Sequence, residues 1–355
     1  MTAGERRLEA PHRRGAARPR IVERTAVVAY RATSWLLGHL PAGPARIVVG
    51  LLAQGSYLAW PSKRRWSNSN FGHVLGLPPD DRRVRALALR AYREYGRYLV
   101  ELMRLPALPP DDVGRLVGNL DEEEVELRRI WGAASGGGLI FSAAHIGNNE
   151  AIAAGVAHRG FPMSVVADDT SFAELFELLR RQRATWGVTL IPWRNLRAIF
   201  GVLRRGEMLG LLIDWGYRSD GIPVHLFDAW TTLPAGPASL AAKTGARILP
   251  VAVHREPDGT FAVAWEELID VASSDPAELQ RATQAMADAL AASIRLAPHQ
   301  WYSFKPLWPA GAAESADLER RARAMQAGQP DPGPGRGLPR DDADQVAGNP
   351  LEVAS

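Results

Sequence analysis

A chain of 355 residues that is 46% hydrophobic and 23% charged has the make-up of an ordinary globular protein, with apolar residues enough for a sizeable core. It contains no cysteine, which excludes disulfides, thiolate-held metals and thiol catalysis together. Its formal charge of +3 is a weak excess for so long a chain and gives no reason to expect a nucleic-acid partner.

Residues 1–20 carry Arg6, Arg7, Arg13, Arg14, Arg18 and Arg20 without an apolar period, and read as a disordered basic arm. No long apolar core follows within signal-peptide distance, so secretion is not expected. Two apolar segments come next, Thr25–Leu40 and Ile47–Trp60, separated by the turn Pro41-Ala42-Gly43-Pro44. Neither reaches the roughly 20 apolar residues of a spanning helix. The second ends in Trp60 and the basic cluster Lys63-Arg64-Arg65-Trp66. Apolar helix, indole and then cations is the order of a bilayer surface; a buried helical hairpin fits the pattern as well. Residues 80–105 read as an amphipathic helix, with Leu87, Ala91, Tyr95, Tyr98 and Leu102 at helical spacing. Prolines 106, 109 and 110 end it, and a charged helix follows at Asp121–Trp131.

From Gly136 the pattern changes to alternating strands and helices. Strands are predicted at 139–142, 163–166, 188–191, 209–213, 247–253 and 261–265. Helices are predicted at 150–158, 171–186, 196–204, 237–243 and 276–296. Such alternation specifies an α/β fold, a mainly parallel sheet flanked by helices. The expected organisation is a basic arm (1–20), a helical membrane-docking segment (21–112), an α/β core (113–309) and a disordered polar tail (310–355).

The chemistry-bearing segment is Phe141-Ser142-Ala143-Ala144-His145-Ile146-Gly147-Asn148-Asn149-Glu150. His145 leaves the C-terminal end of a buried strand, the edge at which open α/β sheets bind ligands. Gly147 permits a tight turn, and Asn148 or Asn149 suits the cap of the next helix. Residues five apart on one helix do not meet, but across a strand–turn–helix corner Glu150 has a route back to the imidazole. There it would hold one ring nitrogen and leave the other to take a proton from an alcohol. A histidine at a strand end and a glutamate drawn to a helix start by its dipole is the plainer alternative. Asp214 also follows a strand; it could assist His145, bind a substrate hydroxyl or close a turn. Arg183 ends a helix and could hold an anion or serve as a C-terminal dipole partner. Phe172, Leu175, Phe176 and Leu179 could line a groove, although an apolar helix face is ordinarily core. There is no Gly-x-Ser-x-Gly elbow, phosphate loop, dinucleotide fingerprint or metal-ligand spacing of histidines.

The segment His145–Glu150 resembles the active-site motif of the bacterial lipid A biosynthesis (late) acyltransferases, a family that includes phosphatidylinositol mannoside acyltransferases. Other stretches agree in order: Arg64-Arg65 to Asn70, Arg183 to Val188, Val224 to Asp228, Pro234 to Ala241, Thr244 to Pro250, and Gln300-Trp301-Tyr302-Ser303-Phe304. The resemblance covers about residues 25–309. It implies an O-acyltransferase that moves a fatty acyl group from acyl-CoA or acyl carrier protein to a hydroxyl of a glycolipid or phospholipid, with His145 and Glu150 catalytic. Arg183, Asp214 and Asn148 would be substrate-binding, with no metal and no cofactor beyond the acyl donor. Membrane lipids would be its partners, at the cytoplasmic face of the cell membrane. A non-catalytic lipid-binding scaffold and a lipid thioesterase or hydrolase are the rival readings. Asp214-Trp215-Gly216, Asn149, and Ala167-Asp168-Asp169-Thr170 depart from the family pattern and bear on the substrate more than on the chemistry.

Overall fold

The computed structural model describes residues 20–134, 136–169 and 172–335. The basic arm and the last twenty residues therefore lie outside the described residues, apart from Arg20. Four helices open the chain: α1 (Arg20–His39), α2 (Ala42–Ala59), α3 (Pro61–Leu75) and α4 (Arg82–Arg104). The turn Leu105–Ala107, a short α5 (Pro110–Gly114) and α6 (Leu120–Gly132) lead to the sheet. Its elements run β1 (Leu139–Ala143), α7 (Asn149–His158), β2 (Met163–Ala167), α8 (Ala173–Ala184), β3 (Thr189–Pro192), α9 (Leu196–Arg204) and β4 (Met208–Leu212). A hairpin of β5 (Ile222–Leu226) and β6 (Ala229–Leu233) is followed by α10 (Gly236–Thr244), β7 (Arg247–Arg255), β8 (Phe261–Trp265), α11 (Pro276–Leu296) and α12 (Ala312–Gln326).

The main sheet has six strands in the order β3-β2-β4-β1-β7-β8. All neighbours are parallel except the β7–β8 pair, so the predicted α/β class holds. All five residues of β1 are buried, as a central parallel strand covered on both faces requires. Its side chains alternate: Phe141 looks toward α4 and α7, whereas Ser142 looks toward α11. Helix ends follow local chemistry. Asp81 caps α4 by accepting the Arg83 N–H at 2.7 Å, and Asn195 caps α9 by accepting from Ala198 at 3.1 Å. Gly76, at φ 62°, closes α3 in the left-handed conformation that glycine adopts without a side-chain clash.

The N-terminal helices pack on the core rather than apart from it. Helix α2 lies against α4, and α1 against α4 and α8. Arg255 of β7 is buried and pairs with Glu94 at 2.9 Å and Glu101 at 2.6 Å, both on α4. Buried Asn70 of α3 donates to the carbonyls of Ser303 (3.1 Å) and Lys305 (2.7 Å) and accepts from Leu307 N (3.2 Å). The α2–α4 crossing depends on glycine: a Cβ on Gly96 would lie 2.7 Å from both Gly50 Cα and the Val49 carbonyl oxygen. Backbone cannot yield as a side chain does. Gly96→Val should therefore destabilise the fold by about 1–3 kcal/mol or more, measured as a lower urea midpoint with an unchanged slope.

One predicted boundary is corrected, and one element was missed. Part of the expected disordered tail is helical: α12 is a four-turn helix whose Leu318, Arg321, Ala322 and Met325 are buried against α11, β5 and β6. Its polar composition hid a single inward stripe. The β5–β6 hairpin was also not predicted. Its two-residue turn, Phe227-Asp228, places Phe227 at φ 57°, a conformation for which glycine or asparagine is the usual signal.

Candidate active site

The site forms where β1 and β4 end side by side. Their parallel register pairs Ala143 with Leu212, so the residues two beyond each, His145 and Asp214, emerge as neighbours. Asp214 is 1% exposed. Its carboxylate accepts from the His145 backbone N–H at 3.0 Å and faces imidazole Nδ1 at 2.6 Å. Indole Nε1 of Trp301 donates to its other oxygen at 2.8 Å. Burial alone would push this carboxyl's pKa upward. The adjoining imidazole, the Trp301 N–H and the His145 backbone outweigh it and hold the group below the usual carboxylate range. Trp301 is placed by an antiparallel bridge between Ile146 and Trp301 and by the Tyr302 N–H donating to the His145 carbonyl at 2.8 Å. The imidazole is thus oriented through Nδ1.

Glu150 does not orient that ring. Gly147, at φ 62°, turns the chain so that α7 starts at Asn149 and carries Glu150 in its first turn. Arg183, buried at the end of α8, takes both carboxylate oxygens: Nε donates to Oε2 at 2.7 Å, and the second nitrogen meets Oε1 more closely still. Among the described residues, the side-chain hydrogen bonds of Glu150 run to Arg183, while imidazole Nδ1 of His145 faces Asp214. The expectation that Glu150 holds the imidazole is corrected for a simple reason. The tight turn and a bidentate guanidinium 33 residues away capture the carboxylate first. Burial opposes the Arg183 charge, but Glu150 beside it more than compensates and raises its pKa.

Asn148 is likewise not at the substrate position expected of it. It is fully buried and caps α7, its Oδ1 accepting from Ala151 N at 3.1 Å. Its neighbour Asn149 reaches the cavity instead and donates to the Ala144 carbonyl at 2.8 Å. Phe172, Leu175, Phe176 and Leu179 are buried core residues that do not line the cavity.

In front of His145 lies an open cavity with a largely apolar lining. One wall is the sheet face of Phe141, Ala143, Val165, Gly210 and Leu212; Tyr95 and Tyr98 of α4 and Ile152 of α7 lie opposite. The Glu150–Arg183 pair forms part of the wall, and Trp215 and Lys305 line it as well. The Trp215 ring stands 5.7 Å from the imidazole, with Lys305 Nζ 3.4 Å from the indole centroid. No group of carboxylates and histidines suited to a metal occurs among the described residues. Sequence reasoning did not single out Tyr95, Trp215, Trp301 or Lys305 as site residues. Trp301 stood inside a motif already noted, but its bond to Asp214 has no sequence signature.

His145, held at imidazole Nδ1 by the buried carboxylate of Asp214, opens on a largely apolar cavity. The chain belongs to the bacterial lipid A biosynthesis acyltransferase family, whose model matches residues 15–309. It is 31% identical over 300 residues to a phosphatidylinositol mannoside acyltransferase of Mycolicibacterium smegmatis, covering 82% of this chain and 93% of that protein. It is 29% identical over 266 residues to a phosphatidylinositol mannoside acyltransferase of Mycobacterium tuberculosis, covering 72% and 80%. The protein is therefore an enzyme that transfers acyl groups.

Proposed function

We propose that the protein moves a fatty acyl group from a thioester donor to a hydroxyl of a glycosylated phospholipid, with His145 as general base and Asp214 as its orienting partner. The observation that carries this reading is the 2.6 Å contact of imidazole Nδ1 with buried Asp214. It leaves Nε2 to accept the acceptor's hydroxyl proton while the oxygen attacks the thioester carbon. Collapse of the tetrahedral intermediate breaks the C–S bond, and the imidazolium returns the proton to the leaving sulfur. The apolar cavity suits the acyl chain. The donor is acyl-CoA or acyl carrier protein, and the names of the two mycobacterial relatives favour a phosphatidylinositol mannoside as acceptor.

The reaction belongs at a membrane surface, where its lipid acceptor resides. No helix among the described residues is long and apolar enough to cross a bilayer. Yet α1 and α2 turn a broad apolar face outward, with Leu52 68% exposed and Trp35 65%, beside Ile47, Val48, Leu51 and Leu58. So much exposed apolar surface calls for a partner. An interfacial helix pair seated on the cytoplasmic leaflet accounts for it. Leu51→Asp/Leu52→Asp should cut sedimentation with anionic lipid vesicles while leaving thermal stability close to wild type; unchanged sedimentation would remove this surface from the docking reading.

The test of function offers the full chain palmitoyl-CoA and palmitoyl-acyl carrier protein in parallel, with phosphatidylinositol mannosides in vesicles, and reads products by mass spectrometry. An added acyl ester that depends on acceptor supports the proposal. Free fatty acid released equally with and without acceptor would make the protein a thioesterase instead.

A further inference from the structure

We propose that helix α12 is part of the active-site architecture, and that its Arg321 is a positioning residue for the loop that presents Trp215 at the cavity mouth. Helix α12 begins at Ala312, beyond residue 309 where the family match ends. Its one buried charged residue, Arg321, points at the active-site loop.

Arg321 is 1% exposed. One terminal nitrogen donates to the Ser219 carbonyl at 2.8 Å. The other donates to the Gly221 carbonyl at 2.9 Å and to Asp331 at 2.6 Å. Nε completes the pairing with Asp331 at 2.8 Å. A guanidinium so deeply buried is tolerated only because it is this fully partnered. Two of those partners are backbone carbonyls of the segment joining β4 to β5.

That segment carries Asp214 two residues beyond the end of β4. Its near part is tied by the Tyr217 N–H donating to Pro306 O at 2.8 Å and by the Thr232 hydroxyl donating to Arg218 O at 2.6 Å. Arg321 supplies the ties further along, at Ser219 and Gly221. Trp215 lies at the near end, 41% exposed, flanked by the catalytic imidazole and by Lys305. An indole and an ammonium at the mouth fit an acceptor headgroup that carries hydroxyls and phosphate. Loss of Arg321 would leave two buried carbonyls unpaired and free the loop to shift. A displacement near 1 Å at a positioning group can cost up to about 100-fold in rate.

The inference rests on His145 and Asp214 as the catalytic pair, so its test includes a reading independent of catalysis. The full chain is labelled with 5-fluorotryptophan, and the Trp215 resonance is assigned from Trp215→Phe. In Arg321→Met that ¹⁹F resonance should shift or broaden. With palmitoyl-CoA and phosphatidylinositol mannoside vesicles, kcat/KM for the acceptor should fall about 10- to 100-fold, while the donor KM holds. In a Trp215→Ala background, Arg321→Met should add little, since residues acting through one another are non-additive. Should Arg321→Met fail to fold, Arg321→Lys is read the same way, because one ammonium cannot serve both carbonyls and Asp331. An unmoved Trp215 resonance in the folded variant, or an equal loss in the Trp215→Ala background, overturns the proposal. A moved resonance in a protein whose His145→Ala variant is fully active would instead overturn the catalytic assignment and leave the loop coupling standing.

Discussion

His145→Ala should lower acyl transfer by about 10²–10⁴-fold, the usual cost of removing a general base, in a protein that keeps its fold. Asp214→Asn should cost a comparable factor. A carboxamide at that position leaves imidazole Nδ1, held at 2.6 Å by the native carboxylate, without the charge that fixes the tautomer and steadies the imidazolium. The double variant should lose little beyond the worse single one, since the two residues act as a unit. Initial rates on palmitoyl-CoA with thermal melts of each variant check this. A well-folded His145→Ala enzyme at the wild-type rate would place the base elsewhere. Asp214 adds an acid dependence to stability. Its folded pKa lies below the usual value, so its contribution is complete above about pH 4 and is lost as pH falls through the folded pKa. Asp214→Asn should remove that part of the acid sensitivity.

Glu150 and Arg183 should behave differently. Glu150→Ala leaves a guanidinium that is 4% exposed without its counter-ion, and Arg183→Ala strands a carboxylate that is 11% exposed. Breaking a buried pair from one side typically destabilises by about 3–5 kcal/mol, whereas removing both partners is milder. The prediction is a marked fall in stability for each single variant and a double variant more stable than the sum of the two implies, measured by urea unfolding. Arg183→Lys should rescue poorly, because a point charge cannot reproduce a two-pronged contact. A Glu150→Ala protein as stable as wild type but with the rate loss of Asp214→Asn would return Glu150 to the chemistry.

The class of the fold was legible in the sequence because it rests on local periodicity. The predicted helices at 196–204 and 276–296 and the strand at 261–265 coincide with α9, α11 and β8. The position of His145 at a strand's C-terminal edge was legible too, since strand, glycine turn and cap all lie within about a dozen residues. The hairpin of β5 and β6 was not, because its turn uses phenylalanine where a glycine would have announced it. Helix α12 was not, because its few inward residues sit among many charges.

By itself the sequence determined which residue types stand at which strand ends: an imidazole after one buried strand, a carboxylate after another, and a second carboxylate five positions along the chain from the imidazole. Which carboxylate meets the ring was decided only in three dimensions. His145 and Asp214 are 69 residues apart, and they meet because β1 and β4 are adjacent, parallel and in a register that brings both strands to an end together. Glu150, close in sequence, is carried off by a turn at Gly147 and held by Arg183 of α8. Spacing along a chain constrains geometry only while the backbone keeps one regular conformation; past a turn, the packing of distant elements decides which groups touch.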